Sequence, residues 1–163
     1  MLKQGDIFCV RSSESIISKL INACQWFWST DGESTYSHSG IITDDNGATI
    51  EALYNGIRRA NLYERYSGCQ IIIGRIVNLT PYQFQVRYQN ILRYENKPYP
   101  YWRLLFHTFP PFAKFLHHLE IPVCSELTWL YVGHSQPWGI TPDIVADRIR
   151  NWDLFDIVYE GKL

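Results

Sequence analysis

Apolar residues recur along the chain at two spacings, one typical of strands and one typical of helices. Between two strand-like runs, Asn46-Gly47 lies in a short polar segment, which is a strong signal for an antiparallel hairpin. A turn at Asn55-Gly56 and a short helix or loop through Tyr66 follow this hairpin. The strands predicted from short apolar runs are 7–11, 38–43, 48–53, 70–77 and 154–159.

Helical spacing of apolar residues predicts several helices interspersed with these strands. Thr80 is a typical N-cap with Pro81 at the first helical position, and Gly133 is typical of a helix end. Because the strands are joined by hairpin-like turns and mixed with helices, we predict an α+β fold in a single domain, residues 1–163. The predicted helices are 13–28, 81–95, 124–132 and a short one after Thr141-Pro142.

The composition excludes several classes of protein. With 46% hydrophobic and 19% charged residues, the chain is not intrinsically disordered. A net charge of −1 gives no basic excess for nucleic acid, so we predict no nucleic-acid partner. No apolar run approaches the roughly 18 residues of a membrane span, and no secretory signal is visible, so we expect a cytoplasmic protein. The four cysteines are too few for a disulfide scaffold and are expected to be reduced.

Three residues have types and positions suited to thiol chemistry. His38 begins an apolar strand, Glu51 lies on the next strand, and Cys124 begins a helix. A helix N-terminus and a neighbouring imidazolium stabilise a thiolate, and a polar residue opposite the histidine fixes its ring. Taken singly, each has a simpler explanation, because a buried cysteine usually acts as a small hydrophobe and a strand glutamate is usually solvated.

Four motifs along the chain together resemble the circularly permuted NlpC/P60 superfamily, in particular its YiiX/YebB-like cysteine hydrolases. The resemblance spans nearly the whole chain and implies a permuted papain-like fold, a small antiparallel sheet or open barrel packed against helices. In this family the histidine comes first, then the polar residue, then the cysteine, as here. The motifs are Gly5-Asp6-Ile7-Phe8, Ser37-His38-Ser39-Gly40-Ile41-Ile42, Ile50-Glu51-Ala52 and Val123-Cys124-Ser125-Glu126-Leu127.

The resemblance also implies roles for individual residues. It makes Cys124 the nucleophile, His38 the base and then acid, and Glu51 the residue that orients His38. By the same resemblance, Tyr99 lines the substrate cleft, and the Gly5-Asp6 turn is a structural element packed near the site. The stretch 103–120 does not match the family's usual short connection.

We therefore predict a cysteine hydrolase that cleaves an amide bond in a peptide or a peptidoglycan-like peptide. Two alternatives stay open: a lipid or thioester acyl hydrolase or acyltransferase with the same three residues, and a non-catalytic binding module. In the lipid alternative, the aromatic segment 102–119 contacts acyl chains or a membrane. Core packing of that segment is favoured, because aromatic stripes at helical spacing usually belong to the core. Substrate identity and oligomeric state stay open.

The sequence contains no strong metal or cofactor motif. His107, His117 and His118 with Cys124 fit no compact zinc-ligand spacing. There is also no P-loop, no dinucleotide-binding glycine turn and no nucleophile elbow. We predict that the protein needs neither a metal ion nor an organic cofactor.

Overall fold

The structure, a computed structural model, describes five segments of the chain: residues 1–11, 35–53, 55–98, 121–135 and 140–163. The strands in these segments are β1 (Ile7–Arg11), β2 (His38–Ile42), β3 (Ala48–Leu53), β4 (Gly56–Asn61), β5 (Gln70–Ile76) and β6 (Phe155–Lys162). The helices are α1 (Leu62–Tyr66), α2 (Pro81–Leu92), α3 (Cys124–Val132) and α4 (Pro142–Asn151).

The six strands form one sheet in the order β4-β3-β2-β1-β5-β6, and every neighbouring pair is antiparallel. The first strand of the chain lies near the centre of the sheet, because β1 pairs with β2 on one side and β5 on the other. Helices accompany this antiparallel sheet, which confirms the predicted α+β class.

Turn and cap residues in the sequence correctly predicted where several strands and helices begin or end. The hairpin of β2 and β3 forms around the Asn46-Gly47 turn, where Asp44 accepts backbone hydrogen bonds from Asn46 and Ala48. Helix α3 ends at Gly133, whose φ of 106° is readily adopted only by glycine.

Other bounds differ from the prediction because pairing and turn geometry decide them. Strand β4 was not predicted as a full strand, since Arg58 and Arg59 make it polar, but it pairs with β3 along its whole length. Helix α2 ends at Leu92 rather than at 95, and Asn96 follows with a positive φ of 66°. Strand β6 continues to Lys162, which pairs with Gln70. The predicted helix 13–28 and the segment 102–119 lie outside the described residues.

Alternation along the strands gives the sheet a hydrophobic cluster on each face. One face packs against α2, α3 and α4 and includes Ile7, Cys9, Ile41, Ile50 and Ile72. The opposite face packs against α1 and includes Phe8, Val10, Ile42, Tyr66 and Ile73. The central strands are therefore covered on both sides, and polar groups buried there require partners.

The Gly5-Asp6 turn joins the start of β1 to its neighbours. The buried Asp6 carboxylate accepts two hydrogen bonds of 2.8 Å from Arg75, and the Tyr131 hydroxyl donates to the Gly5 carbonyl. Gly5 and Asp6 also exchange backbone hydrogen bonds with Ile42, the last residue of β2. This turn therefore lies at the opposite end of β2 from His38. The expectation that it packs near the site is wrong, because the antiparallel register of β1 and β2 separates the two.

Candidate active site

The hairpin brings His38 and Glu51 together. In its register Gly40 is paired with Glu51, so His38, two residues earlier on β2, lies diagonally across on the same face. The ring atom Nε2 of His38 lies 2.8 Å from Oε2 of Glu51, which is a charge-assisted hydrogen bond. This contact follows directly from the strand pairing.

The Glu51 carboxylate is fully buried and accepts three side-chain hydrogen bonds. The Thr49 hydroxyl donates to Oε1, and the Tyr66 hydroxyl donates to Oε2 at 2.5 Å, in addition to the bond from His38. Burial alone raises the pKa of Glu51, but hydrogen bonds from His38, Thr49 and Tyr66 and the charge of His38 lower it overall. Glu51 is therefore ionised at neutral pH.

The His38 ring lies between apolar rings and charged partners, with 14% of its side chain exposed. Its centroid is 5.9 Å from that of Tyr66 and 6.4 Å from that of Phe8. Burial lowers the pKa of His38, but hydrogen bonds with Cys124 and Glu51, and their charges, raise it to about 10. His38 is an imidazolium at neutral pH.

Cys124 is the first residue of α3, and 5% of it is exposed. At this end of the helix the Glu126 carboxylate accepts a hydrogen bond from the Val123 backbone N–H at 3.1 Å. The first N–H groups of a helix have no partners within it, and they carry the positive end of the helix dipole. Cys124 therefore lies at the positive end of the α3 dipole.

Two buried hydroxyls join α3 to β2 beside the site. Thr128 donates to the Cys124 carbonyl at 3.0 Å, and its oxygen lies 3.1 Å from the hydroxyl of Ser39. Because the Thr128 proton is used on Cys124, Ser39 is the donor between the two hydroxyls. Ser39 directly follows His38, so this contact sets the position of the Cys124 helix relative to the His38 strand.

The other cysteines have different surroundings. Cys9 is fully buried in β1, and its pKa is raised well above the ordinary value, mainly by burial and further by the nearby Cys124 and Asp143. Cys69 is half-buried after α1, and Cys24 lies outside the described residues. Among the cysteines described, Cys124 is the one that raises the pKa of His38.

Sequence reasoning missed three residues that shape the site: Thr49, Tyr66 and Gly40. Thr49 could have been found, because it lies two residues before Glu51 on the same face of one strand. Tyr66 carries no local signal, since its contact depends on where α1 packs. At Gly40 a Cβ atom would lie 2.8 Å from both Glu51 and Phe8, so these side chains occupy the space above it.

The remaining sequence-predicted features of the site lie beyond the described segments. Tyr99, the aromatic segment 102–119 and the three histidines at 107, 117 and 118 belong to this group. Within the described segments, no group of three or more His, Cys, Asp or Glu side chains could hold a metal ion. No helix in this part of the chain is both long and apolar enough to cross a membrane.

The sequence matches no protein-family model, and no curated protein is significantly similar to it. Among solved structures, the chain is similar to the crystal structure of the metalloprotein YiiX from Escherichia coli O157:H7. The match has a TM-score of 0.52 at 20% sequence identity and covers 97% of this chain and 88% of that chain. At this identity the similarity shows a shared fold, so the chain has a YiiX-like fold.

Proposed function

We propose that this protein is a cysteine hydrolase with a circularly permuted papain-like (NlpC/P60) fold, which cleaves an amide bond in a peptide or a peptidoglycan-like peptide. The observation that carries the proposal is the position of His38. Its ring atom Nε2 lies 2.8 Å from the buried Glu51 carboxylate, and Cys124 together with Glu51 raises the pKa of His38. A nucleophile, a base and a group that orients the base are the parts that thiol catalysis needs.

In the first half of the proposed reaction, the Cys124 thiolate attacks the carbonyl carbon of the amide. The backbone N–H of Cys124, in the first turn of α3, donates to the oxygen that becomes negative. His38, an imidazolium at the start, gives its proton to the amide nitrogen as the C–N bond breaks. The amine leaves, and the acyl group is bound to Sγ as a thioester.

In the second half, His38 is neutral and accepts a proton from water, which attacks the thioester carbonyl. The C–S bond then breaks, and the carboxylic acid is released. This returns the thiolate to Cys124 and leaves the proton on His38. Throughout, the Glu51 carboxylate holds the ring and stabilises its charged form.

The solved neighbour is a metalloprotein, and a metal ion in this chain would need ligands from its own side chains. The described side chains offer no group of three or more suitable ligands, and His38 and Glu51 are hydrogen-bonded to each other. A tetrahedral zinc site needs three or four such ligands. The described residues do not fit a resident metal ion, and no step of the proposed mechanism uses one.

Thiol reactivity tests the proposal directly. The protein is treated with limiting iodoacetamide at about pH 6, where an ordinary thiol is almost fully protonated, and adducts are mapped by mass spectrometry. We expect Cys124 to react at least about tenfold faster than the half-buried Cys69, because the His38 imidazolium stabilises its thiolate. His38→Ala removes this advantage. Equal rates at Cys124 and Cys69, or an unchanged rate in His38→Ala, contradict the proposal.

Substrate cleavage is measured on a mixture of peptidoglycan stem peptides and, separately, on acyl thioesters. We expect the wild type to cleave amide bonds and Cys124→Ser to be at least about 10³-fold slower, since removing a nucleophile abolishes covalent catalysis. Cys69→Ser is the matched control and retains the wild-type rate. Cleavage of acyl thioesters without any peptide product assigns the acyl-hydrolase alternative instead.

A further inference from the structure

We infer that Tyr66 is a positioning residue for the His38–Glu51 pair: its hydroxyl holds the carboxylate oxygen on which His38 depends. This inference rests on the proposed function and gives Tyr66 a role beside Cys124, His38 and Glu51. Tyr66 lies on α1, which follows β3 and β4 in the sequence. No sequence motif connects it with His38, Glu51 or Cys124.

Tyr66 and His38 share one oxygen atom. The Tyr66 hydroxyl lies 2.5 Å from Oε2 of Glu51, and Nε2 of His38 lies 2.8 Å from the same oxygen. Thr49 occupies the other carboxylate oxygen. With both oxygens bound, the carboxylate cannot rotate without breaking a hydrogen bond, so it holds the His38 ring in one orientation.

The ring of Tyr66 is also fixed in place, by contacts with neighbouring aromatic rings. It is buried against Phe8, with a centroid distance of 5.7 Å, and lies 5.9 Å from the His38 ring. The short helix that carries it is capped by the Asn61 side chain, and the backbone N–H of Leu62 donates to the Gly47 carbonyl. Helix α1 is therefore fastened to the same hairpin that carries His38 and Glu51.

A tyrosine suits this position because its hydroxyl stays protonated at neutral pH and can donate a hydrogen bond. Burial and the neighbouring Glu51 carboxylate raise the pKa of Tyr66 above its ordinary value of 10. The hydroxyl thus stays protonated and supplies a hydrogen bond without adding a charge. Without it, the buried carboxylate loses a donor, and protonation of Glu51 occurs at a higher pH.

The test uses Tyr66→Phe, which keeps the ring and removes the hydroxyl. Tyr131→Phe is the matched control, because it removes another buried tyrosine hydroxyl, the one that donates to the Gly5 carbonyl. The carboxyl carbon of Glu51 is followed by NMR in ¹³C-glutamate-labelled protein as pH is varied. We expect its midpoint to rise by about one pH unit in Tyr66→Phe and to stay at the wild-type value in Tyr131→Phe.

The second readout is the alkylation rate of Cys124 at neutral pH. We expect a loss of about tenfold in Tyr66→Phe, the equivalent of one hydrogen bond, and no loss in the control. A Glu51 midpoint and a Cys124 rate that both equal the wild-type values overturn the inference. If wild-type Cys124 reacts no faster than Cys69, the proposed function fails. The Glu51 titration in Tyr66→Phe still tests the hydrogen bond between Tyr66 and Glu51.

A further measurement does not depend on folding of Tyr66→Phe. In protein labelled with ¹³Cζ-tyrosine, Glu51→Gln removes the negative acceptor of the Tyr66 hydroxyl. We expect one buried tyrosine resonance to shift, while the resonances of Tyr36 and Tyr131, whose hydroxyls contact other groups, stay in place. If no tyrosine resonance moves, Tyr66 does not hold Glu51 and the inference is wrong.

Discussion

Gly40 shows how one missing side chain makes room for the site. It lies between Phe8 on β1 and Glu51 on β3, its register partners in the sheet. A Cβ atom at Gly40 would approach Phe8 and Glu51 to 2.8 Å, closer than such contacts occur in proteins. The glycine is needed here for space, because the buried carboxylate and the aromatic ring fill the volume above the backbone.

Gly40→Ala is expected to destabilise the protein by about 1–3 kcal/mol and to lower the alkylation rate of Cys124, because Glu51 or Phe8 must move. Urea denaturation and iodoacetamide labelling measure the two effects. Gly74→Ala is the matched control: its Cβ would meet Ile149 at 2.8 Å, with no site residue nearby. It is expected to cost similar stability but to leave Cys124 reactivity unchanged, and equal labelling of both variants contradicts the prediction.

Among the elements, the packing of α3 on β2 decides whether thiol and imidazole meet. The helix supplies Cys124 and the strand supplies His38, and the Ser39–Thr128 hydroxyl pair joins the two beside these residues. Because Thr128 also donates to the Cys124 carbonyl, the pair fixes the first turn of the helix. A shift of α3 along β2 would separate the sulfur from the ring.

Thr128→Val keeps the shape of the side chain and removes its hydroxyl, which leaves the buried Ser39 hydroxyl without this acceptor. We expect a loss of about 1–3 kcal/mol in stability and a slower alkylation of Cys124. Thr80→Val serves for comparison, since it removes the N-cap of α2 at a cost of about 1 kcal/mol, far from the site. The prediction fails if the two variants label Cys124 at the same rate.

Across the described part of the molecule, the site and the Asp6–Arg75 ion pair lie at opposite ends of the central strands. Asp6 and Arg75 join the start of β1 to β5, while His38 and Glu51 lie toward the other end of β2. The ionised His38–Glu51 pair also links the neighbouring strands β2 and β3. The protonation of either residue therefore affects the free energy of unfolding of the whole protein.

The pH dependence of stability follows from the signs of the two shifts. The pKa of Glu51 is lowered from 4.5, so its contribution is present above about that pH and is lost as pH falls. The pKa of His38 is raised from 6.5 to about 10, so its contribution is complete below pH 6.5 and is lost as pH rises toward 10. The difference in unfolding free energy between wild type and Glu51→Gln is therefore expected to be largest between pH 4.5 and 6.5.

Urea denaturation at a series of pH values measures this difference. Glu95→Gln is the control, because Glu95 pairs with the largely exposed Arg59 and its removal is expected to have little effect at any pH. A difference between wild type and Glu51→Gln that stays constant from acid to alkaline pH would show that the pair is not ionised as described.

Most elements could be predicted from the sequence because their signals are local. A polar Asn-Gly turn, Thr80-Pro81 at a helix start and Gly133 at a helix end each act through residues a few positions away. Strand β4 was less predictable, since its polar residues form a strand only when β3 pairs with it. The roles of His38, Glu51 and Cys124 were predicted from the resemblance carried by the order of the motifs along the chain. Their catalytic function stays a prediction.

The sequence by itself determined the α+β class, the hairpin of β2 and β3, and the identity of three residues suited to thiol chemistry. Only the tertiary structure decided the register that pairs Gly40 with Glu51, the place of Tyr66 beside the carboxylate, and the position of the Gly5-Asp6 turn away from His38. The physical reason is the range of the interactions. Turns and caps depend on neighbours in the chain, whereas shared hydrogen bonds of a buried carboxylate depend on strands and helices that meet only after folding.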